Sequence, residues 1–383
     1  MKKKKIILSI IIIVLLCVGY AKKSLNDSND TFYLIKIGES ILENGIDLKD
    51  HFSWIPNLYY TYPHWLYSLF IYFIYNNLGF SGIYISNIVI FSTLILSVYF
   101  ISLKVNKSYL LSLIVAIIGI FSSSNFVVPR AHSVSLILFV WEIYFINQLI
   151  NTGKKKYIIF LMIISLLVAN IHGTSWMMFT ILYLPFIGEE VISKITKKKI
   201  ILNDKITVDK INNFKLLIIS LILCLLMGLF TPSKICYTYV FKTMIGNSQN
   251  YISEHLPLII IKAPLIIILL FLMYFSKVRI KLSELFMIFG LFLMSFSSSR
   301  HMMFIFSIVL IYLSYLLKRN LVENKDRTID ILEKKMFSNN YVCLIIIIIT
   351  VFISLFNLNY KLNKEYFDNT EYPVLAVKYI KDN

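Results

Sequence analysis

Twelve apolar runs divide the sequence, at roughly 6–21, 64–81, 82–103, 109–124, 132–150, 157–171, 174–188, 213–230, 257–276, 282–297, 301–317 and 340–357. They constrain the fold more than any other feature. A run of about 18 or more apolar residues has the length of a helix that crosses a bilayer. Water-soluble chains carry about 25% charged residues; this one carries 15%, with a mean hydropathy of +0.74. The expected fold class is all-α: a polytopic transmembrane helical protein with 11–12 hydrophobic segments and about eleven crossings.

The runs define one transmembrane unit over 1–357 and a short polar tail over 358–383. Two longer polar loops interrupt it, at 22–63 and 231–256. Residues 1–21 join a basic start to an apolar run of about 16 residues, with no clear small-x-small cleavage site. They read as an uncleaved first helix. Cys17, Cys224, Cys236 and Cys343 stand far apart and mostly within apolar runs, so they read as small hydrophobes.

Charge placement orients the chain. Lysine and arginine collect in cytoplasmic loops of membrane proteins. Lys2 to Lys5 therefore place the N-terminus in the cytoplasm. Lys154 to Lys156, Lys197 to Lys199, Lys277 with Arg279 and Lys281, and Lys318 with Arg319 mark later cytoplasmic turns. Loops 22–63, 125–131, 172–173, 231–256 and 298–300 then lie outside, as does the C-terminal tail. On this layout the cytoplasmic loops hold a net +17 and the external segments +2, while Glu142 and Glu284 within helices account for −2. The basic excess faces anionic lipid, and a nucleic-acid partner is not expected. Lys104 and Lys107 also look cytoplasmic, which requires an odd number of crossings over 64–103. Either one of its two runs is re-entrant or lies flat, or those lysines face outward.

Chemistry then falls to the external side. All six histidines (His51, His64, His132, His172, His255 and His301) map there, with Arg130, Asn170, Glu254 and Arg300. In the first loop, Phe32, Leu34, Ile35, Ile37, Ile41 and Leu42 give Thr31 to Asn44 the pattern of an amphipathic helix lying in the interface plane. Asp30 precedes it, as an N-cap or as a general base for an incoming hydroxyl. The histidines lack H-x-x-x-H and H-E-x-x-H spacing, so no metal ligand set is assigned and a divalent metal stays open.

The first loop resembles that of bacterial GT-C-fold glycosyltransferase-like membrane proteins. The matched residues are Asp30, Phe32, Tyr33, Gly38, Gly45, Asp50, Phe52, Ser53, His64, Trp65 and Leu66. Pro129 to His132 resembles an R-P-Q segment with the proline moved ahead of the arginine. Ala169 to Gly173 resembles N-x-H-G. Phe230 to Ser233 resembles N-P-x-G, with Thr231 for Asn. Glu254 to Pro257 resembles E-W-x-P, with His255 for Trp. Ser298 to His301 resembles an arginine-bearing outer helix end. The tail near Glu371 to Ile380 resembles a linker that enters a soluble domain in longer relatives; this chain reads as a shortened form.

The resemblance implies a membrane glycosyltransferase of the bacterial cytoplasmic membrane. It would move a sugar from a polyprenyl-phosphate donor to a glycan, lipid or protein acceptor of the envelope. Asp30 would be the base, and Arg130 or Arg300 would stabilise the departing phosphate. Asn170 and His172, with His64, would position phosphate or sugar. Glu254 would orient acceptor or metal. Trp54, Trp65 and Trp176 would stack on sugar or anchor at the interface. The alternatives are a lipid-linked glycan polymerase or ligase, a transporter or flippase, and a non-catalytic membrane protein.

Overall fold

The computed structural model describes residues 2–23, 30–56, 58–196, 200–202, 206–234, 236–238, 280–298, 301–319, 327–363, 365–366 and 374–382. The described residues are overwhelmingly helical. The helices are α1 (Lys2–Tyr20), α2 (Asp30–Asn44), α3 (Trp65–Asn106), α4 (Tyr109–Ser123), α5 (Ala131–Thr152), α6 (Lys156–Ile171), α7 (Trp176–Ile181), α8 (Leu184–Thr196) and α9 (Phe214–Met227). Then come α10 (Leu282–Ser297), α11 (Met302–Leu317), α12 (Arg327–Ser338), α13 (Asn340–Leu362) and α14 (Val374–Asp382).

Among the described residues, four stretches are long and apolar enough to cross a membrane: Trp65–Asn106, Ala131–Thr152, Gly173–Thr196 and Asn340–Leu362. This is fewer than the eleven crossings expected from composition. Helices α4, α6, α9, α10 and α11 are apolar but shorter, at 14–16 residues. At 1.5 Å per residue they span about 21–24 Å, less than the ~30 Å hydrocarbon core. The expected run at 257–276 lies outside the described residues.

Helix α13 shows most directly what surrounds the bundle. Only Cys343, Thr350 and Ser354 of it are buried. Ile345, Ile348, Ile349, Phe352 and Phe356 all face outward. Such an apolar surface is unfavourable in water and natural in lipid. Its inner side is held to α1, where Ser354 Oγ donates to the Leu15 carbonyl (2.7 Å). Lys361 Nζ donates to the Gly19 and Ala21 carbonyls (2.6 and 2.7 Å), which α1 leaves without helical partners. The core lies around α1, the long part of α3, α4, α5 and α11, with Ile13, Phe91, Tyr99, Phe139 and Ile305 fully enclosed.

Helix α3 takes in both apolar runs over 64–103 and is divided into two arms. It breaks at Gly79, whose φ of 59° and ψ of −154° are open essentially to glycine alone. The arm before the break pairs with α2. An added Cβ at Gly38 would stand 2.2 Å from the Ser68 carbonyl oxygen, so the two backbones nearly touch there. Just past the break, Phe80 meets Phe32 of α2 edge-on, with centroids 6.0 Å apart. The arm after the break starts beside α1's end, where Asn87 Nδ2 donates to the Lys22 carbonyl (3.0 Å). It finishes at α1's other end. There Glu333 accepts from Lys5 Nζ and Ser108 Oγ, both at 2.7 Å. This second arm runs the length of α1.

Two stretches between the apolar runs, 191–212 and 318–339, carry structure that sequence patterning does not show. In 191–212, β1 (Ile200–Leu202) pairs antiparallel with β2 (Ile206–Val208), which pairs in parallel with β3 (Ile280–Lys281). Glu189 and Glu190 hold this ribbon by accepting from the backbone N–H groups of Asp209, Ser283 and Ile211 (3.0, 3.0 and 2.7 Å). In 318–339, α12 carries Glu333 to the contact just described.

Candidate functional site

The site lies at the end of the bundle opposite Glu333, and α2 builds its first wall. Leu34, Ile35, Ile37 and Ile41 bury one side of that helix, while Asp30, Tyr33 and Lys36 stay outside. Leu42, which the sequence pattern counted in the same stripe, is instead 67% exposed. The buried side packs on the first arm of α3.

The loop from Gly45 to Pro63 folds back over this wall. Asp50 N–H donates to the Leu58 carbonyl (2.8 Å), and Tyr60 N–H to that of Leu48 (2.9 Å). The Tyr62 hydroxyl lies 2.9 Å from the Lys49 carbonyl and 3.2 Å from Asp47 Oδ1. Burial, and then the Asp47 charge, push that phenol up to about 12. The Lys49 N–H bond holds the Asp47 carboxyl below its ordinary range, helped by His51. The loop brings Phe52 and Tyr60 against Tyr33, with centroids 6.3 and 6.1 Å away. Tyr33 lies one turn from Asp30. Burial, followed by the carboxylates of Asp50 and Asp30, raises its phenol.

The second wall is the start of α5. Arg130 is extended and occupies the position before the helix. Its guanidinium Nη2 donates to Asp30 Oδ2. The neighbouring pair repeats the tie, with Thr31 Oγ1 donating to the Pro129 carbonyl (3.0 Å) inside the protein. The Arg130 side chain is 17% exposed and that of Asp30 is 55% exposed, so the arginine is the inner partner.

The third wall is the α6 end and the turn after it. Trp65 Nε1 donates to Asn170 Oδ1 (2.9 Å). Asn170 Nδ2 donates to the Leu166 and Phe230 carbonyls (2.9 and 3.0 Å). Gly173 N–H donates to the Pro63 carbonyl (3.0 Å). The His64 and His172 rings face each other with centroids 5.0 Å apart. His172 Nδ1 is 2.9 Å from Ser135 Oγ, and its Nε2 is 3.1 Å from Ser175 Oγ.

Residues far apart in sequence thus meet at one end of the bundle: Asp30 with Arg130, Trp65 with Asn170, and His64 with His172. Glu254 and Arg300 lie outside the described residues. The geometry divides the candidates. Asn170 is buried and both ends of its amide are engaged, which suits a tie between segments. Asp30 and Arg130 present charge. Trp176 belongs to neither group. It is fully buried, donates from Nε1 to Ser165 Oγ (2.8 Å) and packs on Gly228, so sugar stacking or interface anchoring is ruled out for it. Trp54, by contrast, is 97% exposed.

Ser135, Ser175 and Thr31 were not singled out from the sequence. Serine and threonine are common in the apolar runs, and no local pattern marks these three. Among the described residues, no three of His, Cys, Asp and Glu gather as a metal site. An apolar cavity of about 250 Å³ lies between Ile181–Pro185 and Phe286–Met294, and none of the candidate polar residues lines it. No protein-family model matches this chain and no curated protein matches it.

Proposed function

We propose that the protein is a GT-C-like membrane glycosyltransferase. It moves a sugar from a polyprenyl-phosphate donor to a cell-envelope acceptor at the outer face of the cytoplasmic membrane. One observation carries the reading: a carboxylate and a guanidinium, Asp30 and Arg130, are brought together at one end of an apolar helical bundle. Sugar transfer from a lipid phosphate needs those two groups. The acceptor hydroxyl gives its proton to Asp30 and forms the new bond to the anomeric carbon. The bond from that carbon to the phosphate oxygen breaks, and the phosphate leaves with the electron pair. Arg130 meets the charge that develops there with a bidentate set of donors. Tyr33, Phe52 and Tyr60 give the acceptor aromatic surface beside the base. His172, held by Ser135 and Ser175, flanks the site together with His64.

The test uses protein in lipid nanodiscs, radiolabelled polyprenyl-phosphate sugars and envelope material as acceptor. Wild type transfers label, and Asp30→Asn at equal protein does not. Undiminished transfer by Asp30→Asn sinks the base assignment. No donor consumed by wild type sinks the enzyme.

A transporter is the second reading, and one observation favours it. Glu142 sits within α5 at 1% exposure, and its Oε2 has no hydrogen-bond partner among the described residues. An ionisable group inside a membrane bundle is a usual mark of a transport path. Unaltered solute accumulating in proteoliposomes is the outcome that would put this reading first.

A further inference from the structure

We infer that Tyr67 is a substrate-contacting residue of this site, its hydroxyl donating a hydrogen bond to the carrier-lipid phosphate that Arg130 holds. The inference rests on the transferase reading above and adds a residue that neither sequence motif nor family resemblance marks. Tyr67 lies on the first arm of α3, two positions past Trp65, and is 2% exposed. It belongs to one buried cluster with Leu34 and Ile35 of α2 and Ala131 of α5. Leu34 is one turn from Asp30, and Ala131 follows Arg130. Tyr67 therefore belongs to the packing that joins the two segments carrying the charges.

Its hydroxyl is enclosed and has no hydrogen-bond partner among the described residues. Buried tyrosines usually find one, and an orphan hydroxyl is unfavourable until a partner arrives. Ala131 of the same cluster follows Arg130, which brings a guanidinium to the neighbourhood of the phenol. A guanidinium has donors only, so it offers the phenol O–H no acceptor. A phosphate supplies several. One phosphate between the two side chains accepts from both. Asp30 pairs with Arg130 from the more exposed side, and an arriving phosphate replaces it.

The experiment measures binding of a polyprenyl phosphate, and of the same polyprenol without phosphate, to protein in nanodiscs. Wild type, Arg130→Gln and Tyr67→Phe are compared, with thermal midpoints recorded without ligand. The expected result is a roughly tenfold or greater loss of polyprenyl-phosphate affinity in Tyr67→Phe. Its unliganded midpoint equals or exceeds wild type, because the lost hydroxyl had no partner, and polyprenol binding is unchanged. Wild-type affinity in Tyr67→Phe, while Arg130→Gln is weakened, overturns the Tyr67 contact alone. A matching loss for polyprenol overturns it too, as does a Tyr67→Phe protein that fails to accumulate. Absence of polyprenyl-phosphate binding by wild type removes the transferase reading and the contact together.

Discussion

Asp30 and Arg130 form an ion pair across 100 residues of sequence. Asp30 is more than half exposed, and exposed pairs contribute roughly 0–1 kcal/mol, so the pair does little to hold the fold. On the transferase reading proposed above, each group occupies the other until substrate arrives. Asp30→Asn is expected to leave the thermal midpoint nearly unchanged. It is expected to tighten polyprenyl-phosphate binding, because Arg130 is released, and to lower turnover by roughly 10²–10⁴. Arg130→Gln loses binding and turnover together. Binding and single-turnover transfer measured on both variants check the split; equal loss of binding in both contradicts it.

The contact between α2 and α3 depends on Gly38. A methyl there would stand 2.2 Å from the Ser68 carbonyl oxygen and 2.5 Å from Tyr72 Cβ. Backbone on one side cannot yield cheaply. Gly38→Ala is expected to destabilise by roughly 1–3 kcal/mol and to lift the Asp30 helix from its seat, lowering transfer as well. Gly45→Ala is the comparison. Its φ of 74° strains alanine by about 1–2 kcal/mol, but nothing lies within 4 Å of the added carbon. Thermal melts in detergent decide. A Gly38→Ala midpoint at wild-type level means the helices have room to part.

Much of this arrangement was legible beforehand, for identifiable reasons. The α2 helix follows from the spacing of Leu34, Ile35 and Ile41, since period is a local property. The meeting of His64 with His172 was accessible only as a shared side, through lysine placement. Nothing local specifies which histidine faces which. The kink at Gly79 was hidden because a glycine in an apolar run signals neither a break nor its direction. Trp176 was misread because an indole at a helix start looks alike in core and interface. Its burial is decided by Ser165 of α6 and by Gly228 just past the end of α9. The strands β1 to β3 are two or three residues long and too short to show a period of two.

Asn170 joins three segments through Trp65, Leu166 and Phe230. Asn170→Ala leaves the Trp65 indole N–H and the Phe230 carbonyl without their partner, at a cost of about 1–3 kcal/mol for a buried orphan group. The midpoint is expected to fall by the corresponding amount, and transfer to fall through displaced geometry. A variant with full stability and no transfer would instead make Asn170 a direct substrate ligand.

Acid sensitivity is expected at the far end. Burial opposes the Glu333 charge, but the bonds from Lys5, Ser108 and the Leu110 N–H outweigh it and hold its carboxyl below the ordinary 4.5. A carboxyl depressed on folding stabilises the protein above its unfolded value. That stability is lost as pH falls from about 4.5 through the folded value. Midpoints recorded from pH 7 downward should therefore drop more steeply below pH 4.5 in wild type than in Glu333→Gln. Parallel curves would show that the contact contributes nothing to folding.

Orientation is open to a direct measurement, because Cys17, Cys224, Cys236 and Cys343 are all buried. Wild type should resist a membrane-impermeant maleimide. Trp54 is 97% exposed at the tip of the loop over the candidate site, and Lys154 is exposed at the turn after α5. The lysine distribution puts the first outside and the second in the cytoplasm. Trp54→Cys should label when reagent is added to intact cells, and Lys154→Cys only after permeabilisation. The reverse result would turn the bundle over. Asp30 and Arg130 would then face the cytoplasm, and a carrier lipid presenting its sugar at the outer surface would never reach them.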